Sequence, residues 1–218
     1  MGARRRGGGD ARDSGSVTRY RLSFTTGGLF LRESVIGAQL LLDADDRAHA
    51  RSELMDGNLL QQRTEQSKRT VSREVVDRLS SLDRGLLKIL TEGSAEECSQ
   101  VMWVSACRRY EIIGEFAREV VRERYLVMTP NLSLDDFDSF VRSKALWHEE
   151  LNTVARSTIL KLRQNIFRML READLMSDAG RILPTTLTAR VAGALAATDR
   201  SAFTYFPVTD SEIERMAG

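Results

Sequence analysis

The chain has 218 residues, of which 42% are hydrophobic and 29% are charged, a balance typical of a globular protein that buries a core. Its 32 Lys and Arg residues nearly equal its 31 Asp and Glu residues, so an acidic ligand would have to meet a local basic surface rather than a net positive charge. No apolar run reaches the roughly 18 residues of a transmembrane helix, and the basic start lacks the apolar stretch of a secretory signal. We therefore expect a cytoplasmic protein that does not enter a membrane.

The chain begins with a basic, glycine-rich stretch, MGARRRGGGDARDSGS. Because it offers few apolar residues to bury, residues 1–18 are predicted to form a disordered tail, either simply solvated or in loose contact with nucleic acid. The ordered part is predicted to begin with YRLSFTTGGLFLRESVIGAQLLL, whose second half has apolar residues at helical spacing. DADDRAHARSELMDGN predicts a second helix, and RTEQSKRTVSREVVDRLSSL predicts a third that ends at Leu82.

Helical patterns continue through the middle of the chain and predict helices at 83–92, 94–109, 111–127, 133–147 and 151–174. The stretch TPNLSLDDF interrupts this series, because Pro130 breaks the chain and Ser133 is placed to cap the next helix. We therefore predict a domain boundary here. It separates an N-terminal helical domain at 19–130 from a C-terminal domain at 131–218.

The pattern changes after Leu175. LMSDAGRILPTT combines a turn signal with a short apolar run, which indicates a small β-hairpin or an extended wing. TTLTARVAGALAA predicts a last helix, and FTYFPVTDSEIERMAG is expected to be a loosely packed end. The predicted fold is all-α: a multi-helix bundle with a helix-turn-helix-like N-terminal part and a winged-helix-like C-terminal part holding at most one small β-hairpin.

The sequence offers little for catalysis or metal binding. His49 and His148 each lack a His or Cys at metal-ligand spacing, and each is expected to be solvated. The acidic residues at 135–138 lie at a predicted helix start, where capping and the helix dipole explain them. Cys98 and Cys107 are expected to be two small buried hydrophobes, since their spacing fits neither a disulfide framework nor a zinc site. We predict no enzyme activity, no cofactor and no metal ion.

Apolar and polar residues occupy opposite faces of the third predicted helix. The stripe predicted to be buried consists of Val71, Val75, Leu79 and Leu82. The candidate DNA-binding face consists of Gln66, Arg69, Thr70 and Arg73, with Arg63 just before the helix. Such side chains near a helix N-terminus can donate hydrogen bonds to phosphates and base edges, as those of a recognition helix do. Glu74 and Asp77 are expected to limit this basic face to the first half of the helix, and an ordinary solvated helix remains the alternative.

The segment 151–171, LNTVARSTILKLRQNIFRMLR, carries five basic residues and no acidic one. Its predicted apolar face consists of Ala155, Ile159, Leu162, Ile166, Met169, Leu170 and Ala173. The opposite face, a second candidate for DNA binding, consists of Ser157, Lys161, Gln164, Arg168 and Arg171. A solvated helix commonly mixes charges of both signs, whereas a stripe of one sign suits DNA phosphates or an acidic protein surface. Plain solvation also stays open. With a helix before it and a wing after it, this helix has the order of a winged helix, in which Arg181 on the wing would reach a phosphate.

Several of these stretches occur in the order seen in a known family. YRLSFTTGGLFLRESVIGAQLLL, RTEQSKRTVSREVVDRLSSL, LLKILTEGSAEECSQVMWVSACRRYEIIGEFAREVVRER and FRMLREADLMSDAGRILP resemble the BrxA family, the small A proteins of bacteriophage exclusion (BREX) defence systems. The resemblance covers about residues 19–190. It implies a helical, non-enzymatic, cytoplasmic DNA-binding protein with a fold likened to the antitermination factor NusB. It also implies partners among the other BREX proteins, a methyltransferase included.

The family offers no catalytic residues and no fixed DNA-contact motif to carry over, so the candidate residues above follow from the helix faces alone. The predicted function is a non-enzymatic component of a BREX system that binds the backbone of double-stranded DNA. One alternative is a helical adaptor that docks other BREX proteins, and another is a regulator of its own operon, which would favour a palindromic site and a two-fold dimer. The sequence leaves open whether the chain forms a homo-oligomer.

Overall fold

The computed structural model describes residues 19–24, 27–44 and 46–218, so the predicted tail at 1–18 lies outside the described residues. The described part folds into helices α1 Leu31–Ala44, α2 Arg47–Asp56, α3 Glu65–Leu79, α4 Arg84–Glu92, α5 Ala95–Arg109, α6 Glu111–Phe116, α7 Glu123–Leu126, α8 Leu134–Lys144, α9 Glu149–Thr153, α10 Arg156–Glu172, α11 Ala189–Thr198 and α12 Asp210–Ala217. A π-helical segment, Ala117–Arg122, joins α6 to α7, and a 3-10 helix, Arg200–Tyr205, follows α11. The prediction of an all-α bundle is confirmed.

The bundle is built around α5. Every residue of this helix from Cys98 to Cys107 is buried, and α1, α3, α4, α10, α11 and the 3-10 helix all pack against it. When a helix is buried on all sides, its polar side chains need hydrogen-bond partners inside the protein. Ser105 accordingly donates to the carbonyl of Arg78 on α3 at 2.8 Å, and the indole of Trp103 donates to the carbonyl of Tyr205 at 2.8 Å.

The predicted helices of the first half match the observed ones closely. The third predicted helix ends at Leu79 rather than Leu82, but all four residues of its predicted apolar stripe are buried. The helix predicted at 111–127 is continuous apart from its π-helical middle. No helix of the described ranges is both long enough and apolar enough to cross a membrane.

Helix starts follow the expected capping chemistry. Asp83 and Ser94 accept hydrogen bonds from the first-turn amides of α4 and α5. At the start of α8, Asp136 accepts from the backbone amide of Ser133 at 2.7 Å and pairs with Arg124, so the capping role predicted for the acidic residues at 135–138 is confirmed for Asp136. Burial alone would raise the pKa of Asp136, but the hydrogen bonds from Ser133 and the charge of Arg124 outweigh it and hold the pKa below its usual value.

The expectation of a loosely packed C-terminal end is wrong. Phe203, Phe206 and Val208 are fully buried, and α12 ends the chain. Arg122 anchors this segment, since its guanidinium donates to the carbonyl of Val208 at 3.0 Å and pairs with Asp210 at 2.6 Å. The aromatic residues of this stretch therefore belong to the core, which their spacing does not reveal because they lie in a 3-10 helix and an extended loop.

The predicted hairpin is reduced to a tight turn. The described residues hold no β-strand, only two isolated antiparallel bridges, Met176 with Ile182 and Asn131 with Arg181. Gly180, at a φ of 81°, occupies the left-handed position of the turn and donates to the carbonyl of Ser177 at 2.9 Å. The helix-turn-helix-like and winged-helix-like parts, and the domain boundary after residue 130, stay predictions.

Candidate nucleic-acid interface

Helix α3 presents the candidate residues as expected. Thr64 caps the helix by accepting from the amide of Ser67 at 3.1 Å, which orients the first turn. The candidate side chains on and before this helix are exposed, except Thr70, which is half-buried: Arg63, Gln66, Arg69, Thr70 and Arg73. Within the described residues, none of its three candidate arginines has a carboxylate oxygen within 4.0 Å. The exposed face of α3 therefore carries unneutralised positive charge.

The prediction that Glu74 restricts the basic face of α3 to its first half is wrong. That residue is buried, and its carboxylate accepts from the guanidinium of Arg78 at 2.8 Å and from the hydroxyl of Tyr110 at 2.5 and 2.6 Å. The pKa of Tyr110 rises to about 12, because of burial first and the neighbouring carboxylate second. Asp77 is half-buried and pairs with Arg51 of α2 at 3.0 Å and with an arginine of α5. Glu74 therefore adds no negative charge to the exposed face.

Helix α10 starts later than predicted. The predicted helix at 151–174 is interrupted at Val154 and Ala155, whose backbone is extended, and α10 begins at Arg156. Ala155 is exposed, so its placement on the apolar face is wrong, while the rest of that predicted face is buried or half-buried. Phe167 joins the buried face, which the helical spacing could have included.

The five candidates on α10 are exposed: Ser157, Lys161, Gln164, Arg168 and Arg171. Their stripe is not free of negative charge, however. Glu172, one residue beyond the acid-free segment, pairs with Arg168 at 2.7 Å, and Asp178 lies 3.7 Å from Arg171. Among the described residues, Lys161 is the one candidate cation of α10 that has no carboxylate oxygen within 4.0 Å.

The remaining candidate, Arg181, is exposed on the turn after α10. Its backbone is fixed on both sides, because its carbonyl accepts from the amide of Ser177 at 2.8 Å and its own amide donates to the hydroxyl of the same residue at 3.1 Å. The neighbouring amide of Ile182 donates to the carbonyl of Pro130 at 2.7 Å. The turn thus presents Arg181 from a well-anchored backbone.

One peptide group connects the two candidate helices. In the 27–30 loop, the carbonyl of Gly28 accepts from Arg78 of α3 at 2.7 Å, and the amide of Leu29 donates to Glu172 of α10 at 2.5 Å. These two atoms belong to the same peptide unit, which is therefore held from both sides. A Cβ atom at Gly28 would lie 2.0 Å from a carboxylate oxygen of Glu172, so only glycine leaves room for this contact. Adjacent glycines in a sequence can indicate such a close approach, and this signal was not used in the prediction.

The histidines and cysteines form no metal site among the residues that the structure describes. The expectation that both histidines are solvated is wrong for His148, which is buried and stacks on Tyr20 with ring centroids 3.7 Å apart. His49 is exposed as expected. Cys98 and Cys107 are buried free thiols, as predicted, and burial raises the pKa of both.

Comparison with known proteins identifies the family. The BrxA family model matches residues 18–199. A BREX protein BrxA from Escherichia coli O9:H4 (strain HS) is 27% identical over 155 residues, which cover 71% of this chain and 73% of that protein. A BREX protein BrxA from Paramagnetospirillum magneticum is 26% identical over 161 residues, which cover 74% of this chain and 81% of that protein.

The crystal structure of an uncharacterized protein from Magnetospirillum magneticum has a similar fold, with a TM-score of 0.76 and 22% identity over 87% of this chain and 98% of that one. This likeness concerns the fold alone, whereas the family match covers most of the sequence. The chain therefore belongs to the BrxA family of BREX phage-defence components.

Proposed function

We propose that the protein is a non-enzymatic, cytoplasmic component of BREX defence that binds the phosphate backbone of double-stranded DNA through α3 and α10. The observation that carries this proposal is the exposed face of α3. Arg69 and Arg73 on this helix, and Arg63 just before it, have no carboxylate oxygen within 4.0 Å among the described residues, so their charge is available to phosphates.

The two helices contribute unequally to this proposal. On α3 the arginines lie on the N-terminal half, where exposed Gln66 and half-buried Thr70 could touch base edges. On α10 the ion pairs of Arg168 and Arg171 lower the available charge, so Lys161 near the start of the helix is its strongest phosphate ligand. Helix α3 is therefore the main contact and α10 the auxiliary one. Gln164 and Ser157 on α10, and Arg181 on the following turn, would complete the surface as in a winged helix.

The salt dependence of DNA binding tests the proposal. For a duplex of mixed sequence, a plot of log K against log salt concentration should have a slope of about −4 or steeper, since each neutralised phosphate contributes about −0.9. The double variant Arg69→Gln/Arg73→Gln should lose about two units of slope on any DNA sequence. Arg215→Gln, at an exposed position of α12, is the matched control and should behave as the wild type. No binding at low salt, or equal slopes for all three proteins, would contradict the proposal.

A second function is favoured by a different observation. Leu146 and Trp147, after the end of α8, are 79% and 74% exposed, and large neighbouring apolar side chains on a surface mark sites of protein contact. The protein would then be an adaptor that docks another BREX protein, such as the methyltransferase, through these residues. Trp147→Ala should abolish co-purification with that partner while DNA binding stays unchanged. If the variant co-purifies as well as the wild type does, this surface is not the docking site.

A further inference from the structure

A second group of arginines lies near the C-terminal end of α3. It lines a cleft of about 340 Å³ between the non-helical segment at 19–21, the start of α2, the end of α3 and the junction of α5 and α6. The arginines that line it are Arg19, Arg21, Arg47, Arg108 and Arg109. Three segments that are distant in sequence thus bring five guanidinium groups to one cavity.

The negative charges around the cleft do not balance these arginines. Asp77, one of its two lining carboxylates, already pairs with Arg109 at 2.6 Å and with Arg51 at 3.0 Å. Arg108 pairs with Asp199 at 3.1 Å. Counting these partners and the lining residue Glu111, six arginines face three carboxylates, a formal excess of three positive charges.

The excess resides on three side chains. Among the described residues, Arg19, Arg21 and Arg47 have no carboxylate oxygen within 4.0 Å. Arg47 is instead oriented by its hydrogen bond to the carbonyl of Ser80 at 3.2 Å. Like charges collected in one cleft repel each other, and an anion bound between them would relieve this repulsion.

Arg109 is held in a fixed position on the wall of the cleft. Its guanidinium pairs with Asp77 at 2.6 Å and lies against the ring of Tyr110, whose centroid is 5.9 Å from its guanidinium carbon. A guanidinium that is already oriented loses less conformational entropy when it binds an anion.

We propose that this cleft binds a phosphate-bearing anion. Planar guanidinium groups match phosphate oxygens in pairs, which favours phosphate over simple halide ions. Because a phosphate monoester carries about −1.5 to −2 at pH 7, two or three linked phosphates balance the excess charge better than one. The volume is at the lower end of the range for small-ligand sites, roughly 300–1,000 Å³. Such phosphates occur in a nucleoside polyphosphate and, as successive diesters, in a DNA strand. The proposal does not depend on DNA binding by α3 and α10.

Calorimetric titration with sodium pyrophosphate at low ionic strength tests the proposal. The wild type should bind pyrophosphate, and Arg21→Gln/Arg47→Gln should weaken the affinity by about tenfold or more, because two charge-assisted contacts are lost. Both arginines are exposed, so the variant should fold normally, and each single variant is measured alongside it. Arg215→Gln on α12 is the matched control and should bind as the wild type does. No detectable binding by the wild type, or equal affinity in all variants, would overturn the proposal.

Two further titrations identify the source of the phosphate. If the site holds a nucleoside polyphosphate, ATP should bind and compete with pyrophosphate, and the cleft variant should keep its affinity for duplex DNA. If the site holds a DNA strand, the duplex affinity should fall by a factor similar to that for pyrophosphate. Arg69→Gln/Arg73→Gln should leave pyrophosphate binding unchanged, so a failure of the proposed α3 contact and a failure of the cleft are told apart.

Discussion

Removal of Arg78 should be among the most damaging single changes to the folded protein. Its side chain is fully buried, where it binds Glu74 and the carbonyl of Gly28. Arg78→Met would fill a similar volume but leave the carboxylate of Glu74 buried without its counter-charge. Breaking a buried ion pair from one side costs about 3–5 kcal/mol. The hydroxyl of Tyr110 would still donate to this carboxylate, which places the expected loss at about 3 kcal/mol.

Equilibrium unfolding in urea measures this loss. Domains of this class are stable by about 5–15 kcal/mol, so the variant should still fold. With a slope of roughly 2–3 kcal/mol per molar urea, the midpoint should fall by about 1–1.5 M. The control is the double variant Glu74→Gln/Arg78→Met, in which no unpaired charge remains, and which should recover part of the loss.

The double-mutant cycle also defines what would refute this reasoning. If Glu74→Gln and Arg78→Met each cost about 3 kcal/mol and the double variant costs their sum, the two charges do not interact. A cost below about 1 kcal/mol for Arg78→Met would place this residue with ordinary surface pairs, which contribute little. Either result would contradict the buried pair.

Three further changes test other parts of the fold. Gly28→Ala should lower the free energy of unfolding by about 1–3 kcal/mol, because its Cβ would displace Glu172 from a buried amide; an urea midpoint equal to that of the wild type would contradict this contact. The lowered pKa of Asp136 contributes stability that is present above pH 3.8, its usual value, and is lost as the pH falls through the folded-state pKa. In thermal melts between pH 2 and 7, the melting temperature of Asp136→Asn should therefore fall less steeply on the acid side than that of the wild type. An acid-side profile equal to that of the wild type would show that Asp136 does not contribute to it. Ser94→Ala should cost about 1 kcal/mol by removing the cap of α5, and chemical denaturation should detect the loss, whereas a midpoint unchanged within error would show that the cap is dispensable.

The apolar residues of α3 explain what the sequence could predict. Val71, Val75 and Leu79 repeat at helical spacing, and this spacing alone places them on the buried side. Glu74 and Arg78 share a spacing of four, which in sequence looks the same as a solvent-exposed ion pair. Their burial depends on Gly28 and Tyr110, which are distant along the chain, so no local pattern could reveal it.

The candidate residues were predictable to a similar degree. Exposure follows from helix phase, so the exposed arginines of α3 and α10 could be identified from spacing. Their ion pairs could not all be identified, because the partner of Arg171 lies on the following turn. The break before α10 carries no local signal either, since Val154 and Ala155 are ordinary helix residues by composition. The arginine cleft combines four separate segments and becomes visible only in the folded chain.

The peptide between Gly28 and Leu29 has a consequence for both proposed DNA contacts. Its carbonyl is bound to α3 through Arg78, and its amide is bound to α10 through Glu172. The same carboxylate also pairs with Arg168, a candidate phosphate ligand on the exposed face. A phosphate that attracts Arg168 therefore competes with Glu172, and the freed carboxylate would bind the loop amide more strongly. Contact with DNA at α10 would then tighten the link to α3 instead of loosening it, because the two contacts share one carboxylate and one peptide group.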